Sequence, residues 1–130
     1  MILRAIEVWI LISAAEVVHG IARVTFLQPL VGDLTARQIA VFTGSALVIA
    51  IAILFRRWTG TAGVRDCIVV GATWVLLTIC FEVFLGIVIL GVTWERIFSD
   101  YDIVHGGLMP IGLALMFLAP LIAHRVSTRQ

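Results

Sequence analysis

Glu16, His19 and Arg23 lie inside an otherwise apolar stretch that runs from about Ala5 to Leu27. On a helix, residues three, four and seven apart share one side, so this carboxylate, imidazole and guanidinium form a single stripe with Trp9, Ile12 and Gly20. These groups can hold a proton, bind an ion or small solute, or neutralise one another. Charge at bilayer depth is costly, and where it persists it marks proton relays, ion paths or a paired structural network. Two later stretches carry polar groups that could meet the first: Thr78 and Glu82 in one, Asp102 and His105 in the other.

Composition sets the class of element that must position them. Of 130 residues, 62% are hydrophobic and 13% charged, with mean hydropathy +1.14. Soluble domains are about half apolar and a quarter charged, so this chain has too few polar groups to cover a water-facing surface. Its net charge of +1 argues against a nucleic-acid partner, which needs a basic face. The natural partner is a lipid bilayer.

Crossing a hydrocarbon core takes about 20 apolar residues in a helix. Four segments qualify, at about 5–27, 36–55, 66–93 and 102–124. The expected fold is therefore all-α, a single-domain integral membrane four-helix bundle over residues 1–130. Gln28, Pro29, Gly32 and Asp33 break the first segment, and Arg56, Arg57, Trp58, Thr59 and Gly60 end the second. Ser99 and Asp102 have capping-box spacing for the fourth, and Pro110 and Pro120 are expected as kinks inside it. The first segment is too long and too charged for a cleaved signal peptide. Thr43, Gly44 and Ser45 read as packing positions between helices. Cys67 and Cys80, about 20 Å apart along one helix, cannot bridge and read as buried small hydrophobes.

Six Arg fall on the side of the termini (Arg4, Arg56, Arg57, Arg65, Arg125 and Arg129). Three fall on the other side (Arg23, Arg37 and Arg96), diluted by Asp33, Glu95, Asp100 and Asp102. By the positive-inside rule, both termini lie in the cytoplasm and the chain is a multi-pass protein of the inner, plasma membrane.

Depth counted along the helices puts Glu16, His19, Arg23 and Glu82 in the outer half of the membrane, with Thr78, Asp102 and His105 near them. Three arrangements are open. One is a structural network in which Arg23 neutralises Glu16 or Glu82 and His19 completes the hydrogen bonds. A second is a titrating or substrate-binding site, in which desolvation and a neighbouring Arg act on a carboxyl in opposite senses. The third is a metal or haem site. Glu16-x-x-His19 and Asp102-x-x-His105 have the spacing of di-metal carboxylate bundles, but the second helix offers no carboxylate and Arg23 repels a cation. A haem would need His19 and His105 at matching heights. The sequence itself assigns no metal ligand and no cofactor.

Ala15-Glu16-Val17 in the first of four short helices is similar to the membrane-embedded Glu of the small multidrug resistance transporters. That resemblance implies a four-helix protein working as an antiparallel dimer with a transport Glu at position 16. It covers three residues and the overall size. The sequence departs from the pattern at His19, Arg23, Glu82 and around Trp74, and its one-sided Arg distribution departs from dual topology.

Two functions from different classes follow. One is a small transporter or channel component whose Glu16, His19, Arg23 and Glu82 handle a proton, ion or small solute. The other is an accessory transmembrane subunit of a larger redox or pigment complex, touching a haem, quinone or pigment through His19 or His105. Both imply a homo-oligomer or partner membrane subunits, since four helices hardly enclose a pore alone. No nucleophile–base arrangement points to an enzyme.

Overall fold

The computed structural model describes residues 1–99 and 101–129, with the side chains of His105 and of residues 127–129 outside that description. Four long helices dominate: α1 (Ile2–Val31), α2 (Asp33–Leu54), α4 (Val64–Ile89) and α6 (Met109–Arg129). Between them lie two short helices, α3 (Arg56–Thr59) and α5 (Trp94–Ser99). The protein is an all-α four-helix bundle, and all four long helices are long and apolar enough to cross a membrane. Helix is the natural outcome for such runs, because in lipid every backbone N–H and C=O must be satisfied within its own segment.

The helices form a ring in the order α1–α2–α6–α4, with α6 packed extensively along both α2 and α4. Ala5 faces Trp74 and Trp9 faces Thr78, so α1 and α4 run in the same direction. The apolar core gathers at the end of the bundle that holds Met1 and the last turns of α6. It comprises Ala5, Val8 and Ile12 of α1, Val48, Ile51 and Ala52 of α2, Val70 and Trp74 of α4, and Met116, Ala119 and Ala123 of α6. Trp74 is fully buried and its indole Nε1 donates to the Ala5 carbonyl at 2.9 Å. Gly71 lies against the Phe117 backbone so closely that any Cβ there would collide with the Phe117 carbonyl. That contact lets α4 and α6 approach as only small residues allow.

Away from this core the helices are less regular. At 1.5 Å per residue α1 is about 45 Å long, more than the about 30 Å of a hydrocarbon core. It widens into a π-turn at Arg23–Leu27, directly before Pro29, whose ring displaces the carbonyl of Thr25 and whose missing N–H interrupts the ladder. The chain reverses at Gly32, φ +87°. A second π-turn, Leu85–Ile89, ends α4, and the Val92 and Ile97 side chains close over Gly86.

Several boundaries differ from the sequence expectation. The fourth long helix begins at Met109, and residues 102–108 form a loop with one 3₁₀ turn, Ile103–His105, closed by Gly106 at φ +95°. Ser99 Oγ donates to the Arg96 carbonyl, and Asp102 precedes the 3₁₀ turn without a side-chain capping bond to it. Pro110 sits in the first turn of α6, where a missing N–H costs nothing; Pro120 alone lies in the helix interior. Cys67 is buried as expected, whereas Cys80 is exposed on α4.

Candidate functional site

The π-turn places Arg23 at the start of the irregular part of α1, and the regular turns before it carry Glu16 and His19 toward α2. The Glu16 carboxylate lies over Gly44 of α2. A Cβ on Gly44 would stand 2.9 Å from Glu16 Oε2 and 3.3 Å from Oε1, so the glycine makes the space this carboxylate occupies. Glu16 Oε1 is buried and has no hydrogen-bond partner among the described residues. Glu16 Oε2 stands 3.7 Å from His19 Nδ1, and both side chains are about one-third exposed or less, at 32% and 24%.

His19 reaches α2 with its other nitrogen: Nε2 is 2.6 Å from Thr43 Oγ1. The Thr43 hydroxyl also lies 3.4 Å from the carbonyls of Ile39 and Ala40. A hydroxyl that donates to a backbone carbonyl accepts from His19 Nε2–H, which turns the Nδ1 lone pair toward Glu16. Two arrangements of one proton then fit the pair, a carboxylic acid facing a neutral imidazole or a carboxylate facing an imidazolium. The 3.7 Å separation exceeds a hydrogen bond, so a small closure accompanies either form.

The remaining sequence-derived residues occupy other surroundings. Arg23 is half-buried, its Nε is buried, and among the described residues it makes no ion pair with Glu16 or Glu82. Seven residues separate it from Glu16, about 10 Å along the axis, and its side chain does not reach back. Glu82 is exposed on α4. Thr78 belongs to the packed half of the bundle: it accepts from Trp9 Nε1 at 3.0 Å and its hydroxyl meets Met116 Sδ at 3.2 Å. Asp102 is half-buried in the loop before α6, and the side chain of His105 lies outside the described residues. No group of three His, Cys, Asp or Glu side chains gathers as a metal-ligand set among the described residues.

Sequence reasoning treated Thr43 and Gly44 as packing positions and did not assign them to the site. Their only signal was a polar and a small residue side by side inside an apolar run. A further clip also went unassigned. Asp33, in the first turn of α2, pairs with Arg37 Nε and Arg96 Nη2, both at 3.2 Å, and ties α5 to the start of α2. Gln38 Nε2 donates to the Gly106 carbonyl at 2.9 Å and ties the following loop to the same helix. Comparison with known protein families, with characterised proteins and with solved structures gives no match.

Proposed function

We propose that this membrane bundle handles a proton at the Glu16–His19 pair, as a small transporter or channel component. The observation that supports the reading is the seating of the Glu16 carboxylate over Gly44, within 3.7 Å of a histidine whose second nitrogen is engaged by Thr43. Intramembrane Glu and His groups serve proton relays, and a carboxyl–imidazole pair can pass its proton with little movement. In this reading Arg23, one turn beyond His19, limits the pair to one proton by disfavouring a nearby cation. Glu82 lies on the exposed surface of α4 and is reached by the proton before or after the pair. A second copy of the chain completes the path. Both termini face the cytoplasm of an inner membrane, on the strength of the one-sided Arg distribution.

The test is proton flux into liposomes carrying an entrapped pH-sensitive dye, driven by a potassium diffusion potential. Native protein should acidify or alkalinise the lumen according to the sign of the potential. Glu16→Gln should abolish the flux while keeping helix content and a monodisperse elution profile. Equal flux from native protein and Glu16→Gln would refute the assignment.

A further inference from the structure

The end of the bundle that carries Met1 holds a second set of polar groups, about 18 Å along α1 from Glu16 when counted from Arg4. There α3 follows α2 after Phe55, and the chain reverses at Gly60, φ +73°, a left-handed conformation that suits glycine. The reversal leaves an open groove of about 330 Å³ lined by Arg56, Arg57, Gly60, Thr61, Ala62 and His124. Arg56 Nη1 donates to the Ile53 carbonyl at 2.9 Å, which fixes that guanidinium at the groove wall. Arg57 is exposed and His124 is half-buried. The acidic group nearest in sequence, Asp66, accepts the Ala62 N–H at 2.9 Å, so it is engaged in ordering the turn.

Three observations say what kind of anion suits this groove. The Trp58 ring beside it is exposed and carries the Arg4 guanidinium 4.9 Å from its centroid, an arrangement typical of the level where lipid headgroups meet hydrocarbon. Leu54 and Val64, on the two helices that flank the turn, are exposed apolar surface on which acyl chains can continue. Arg125, exposed on the last turns of α6, adds positive charge at the same end. Guanidinium forks match phosphate oxygens in geometry, and basic pockets between helices at a membrane face hold anionic headgroups.

We propose that this groove binds the phosphate of an anionic lipid headgroup, with Arg56 and Arg57 as the charged donors and His124 as a further hydrogen-bonding wall. Free phosphate shares the chemistry but lacks acyl chains to lie along Leu54 and Val64. The full chain in nanodiscs distinguishes these sources. Replacing part of a phosphatidylcholine bilayer by phosphatidylglycerol should raise the thermal midpoint by several degrees. The pair Arg57→Gln with His124→Gln should remove most of that rise. Arg65→Gln, which deletes the same charge at the same end outside the groove, should retain it. Inorganic phosphate at ionic strength matched with chloride should give no rise.

A rise unchanged in Arg57→Gln with His124→Gln would overturn the proposal. So would an equal loss in Arg65→Gln, which indicates diffuse attraction, or a rise with inorganic phosphate alone. Native mass spectrometry of Arg57→Gln gives an independent readout should the double variant fold poorly. Retained phosphatidylglycerol should fall several-fold there, and unchanged retention counts against the groove.

Discussion

The half of the bundle beside the termini and the half beyond Glu16 are built differently. Beside the termini, side chains from all four long helices interlock around Trp74, the Trp9–Thr78–Met116 contacts tie three helices together, and Gly71 brings α4 and α6 to backbone contact. Beyond Glu16, two helices contain π-turns, Ala36 and Gly86 are among the few buried residues, and the connections are polar clips at Asp33 and Gln38. One half specifies the fold by shape. The other carries Glu16, His19, Arg23 and Glu82 and is less densely packed. π-turns recur at functional sites because they release the regular ladder locally, and low packing density is where low-energy opening occurs. The proton-handling reading proposed above draws on both.

The comparison breaks most visibly at Gly71. Gly71→Leu forces side-chain carbon into the Phe117 backbone, which cannot yield as a flexible side chain would. Overpacking of this kind costs about 3 kcal/mol or more, and the variant should lose most of its cooperative thermal transition in detergent. A normal midpoint would mean that α4 and α6 do not approach as described.

Trp74→Phe is expected to be next in size. It removes the second donor to the Ala5 carbonyl, which keeps its helical partner in α1, and leaves space where the indole packed, together about 1–3 kcal/mol. Thermal midpoint is again the readout, and a cost below about 0.5 kcal/mol would deny the packed half its role.

Gly44→Ala tests the other half. The new methyl meets the tip of the Glu16 side chain, which can swing away, so the stability cost should stay under about 1 kcal/mol. Proton flux in liposomes should nevertheless fall, because the carboxylate leaves its seat beside His19. A large loss of stability with flux retained would assign Glu16 to structure instead.

The smallest effect is expected at Asp33→Asn. Its two Arg partners are partly exposed, and such pairs contribute about 0.2–1 kcal/mol. High salt should erase the difference between variant and native protein, as read by proteolysis of the connection that contains α5.

The four spans were legible in the sequence because about 20 consecutive apolar residues admit few alternatives. The onset of α6 was not. Ile103, Val104 and Leu108 extend the apolar run, and only the Gly106–Gly107 pair and Pro110 hint that the helix starts later. The placement of Glu82 was hidden for a deeper reason. Lipid is as apolar as the core, so α4 is apolar all round and its pattern does not tell an inward face from an outward one. Hence the stripe through Thr78 and Glu82 could be drawn, but Thr78 packs against Trp9 while Glu82 is exposed. Glu16 and His19 announced themselves as ionisable groups in an apolar run. Their partners Thr43 and Gly44 depended on which helices pair, which the apolar pattern alone does not reveal.

The central claim, that Glu16 exchanges a proton with its surroundings beside His19, is tested most directly by infrared difference spectroscopy across a pH change in lipid. Native protein should show a carboxyl stretch that appears and disappears with pH, is absent in Glu16→Gln and shifts in His19→Gln. A carboxyl band that survives unchanged in Glu16→Gln, or a native spectrum without one, would contradict the account.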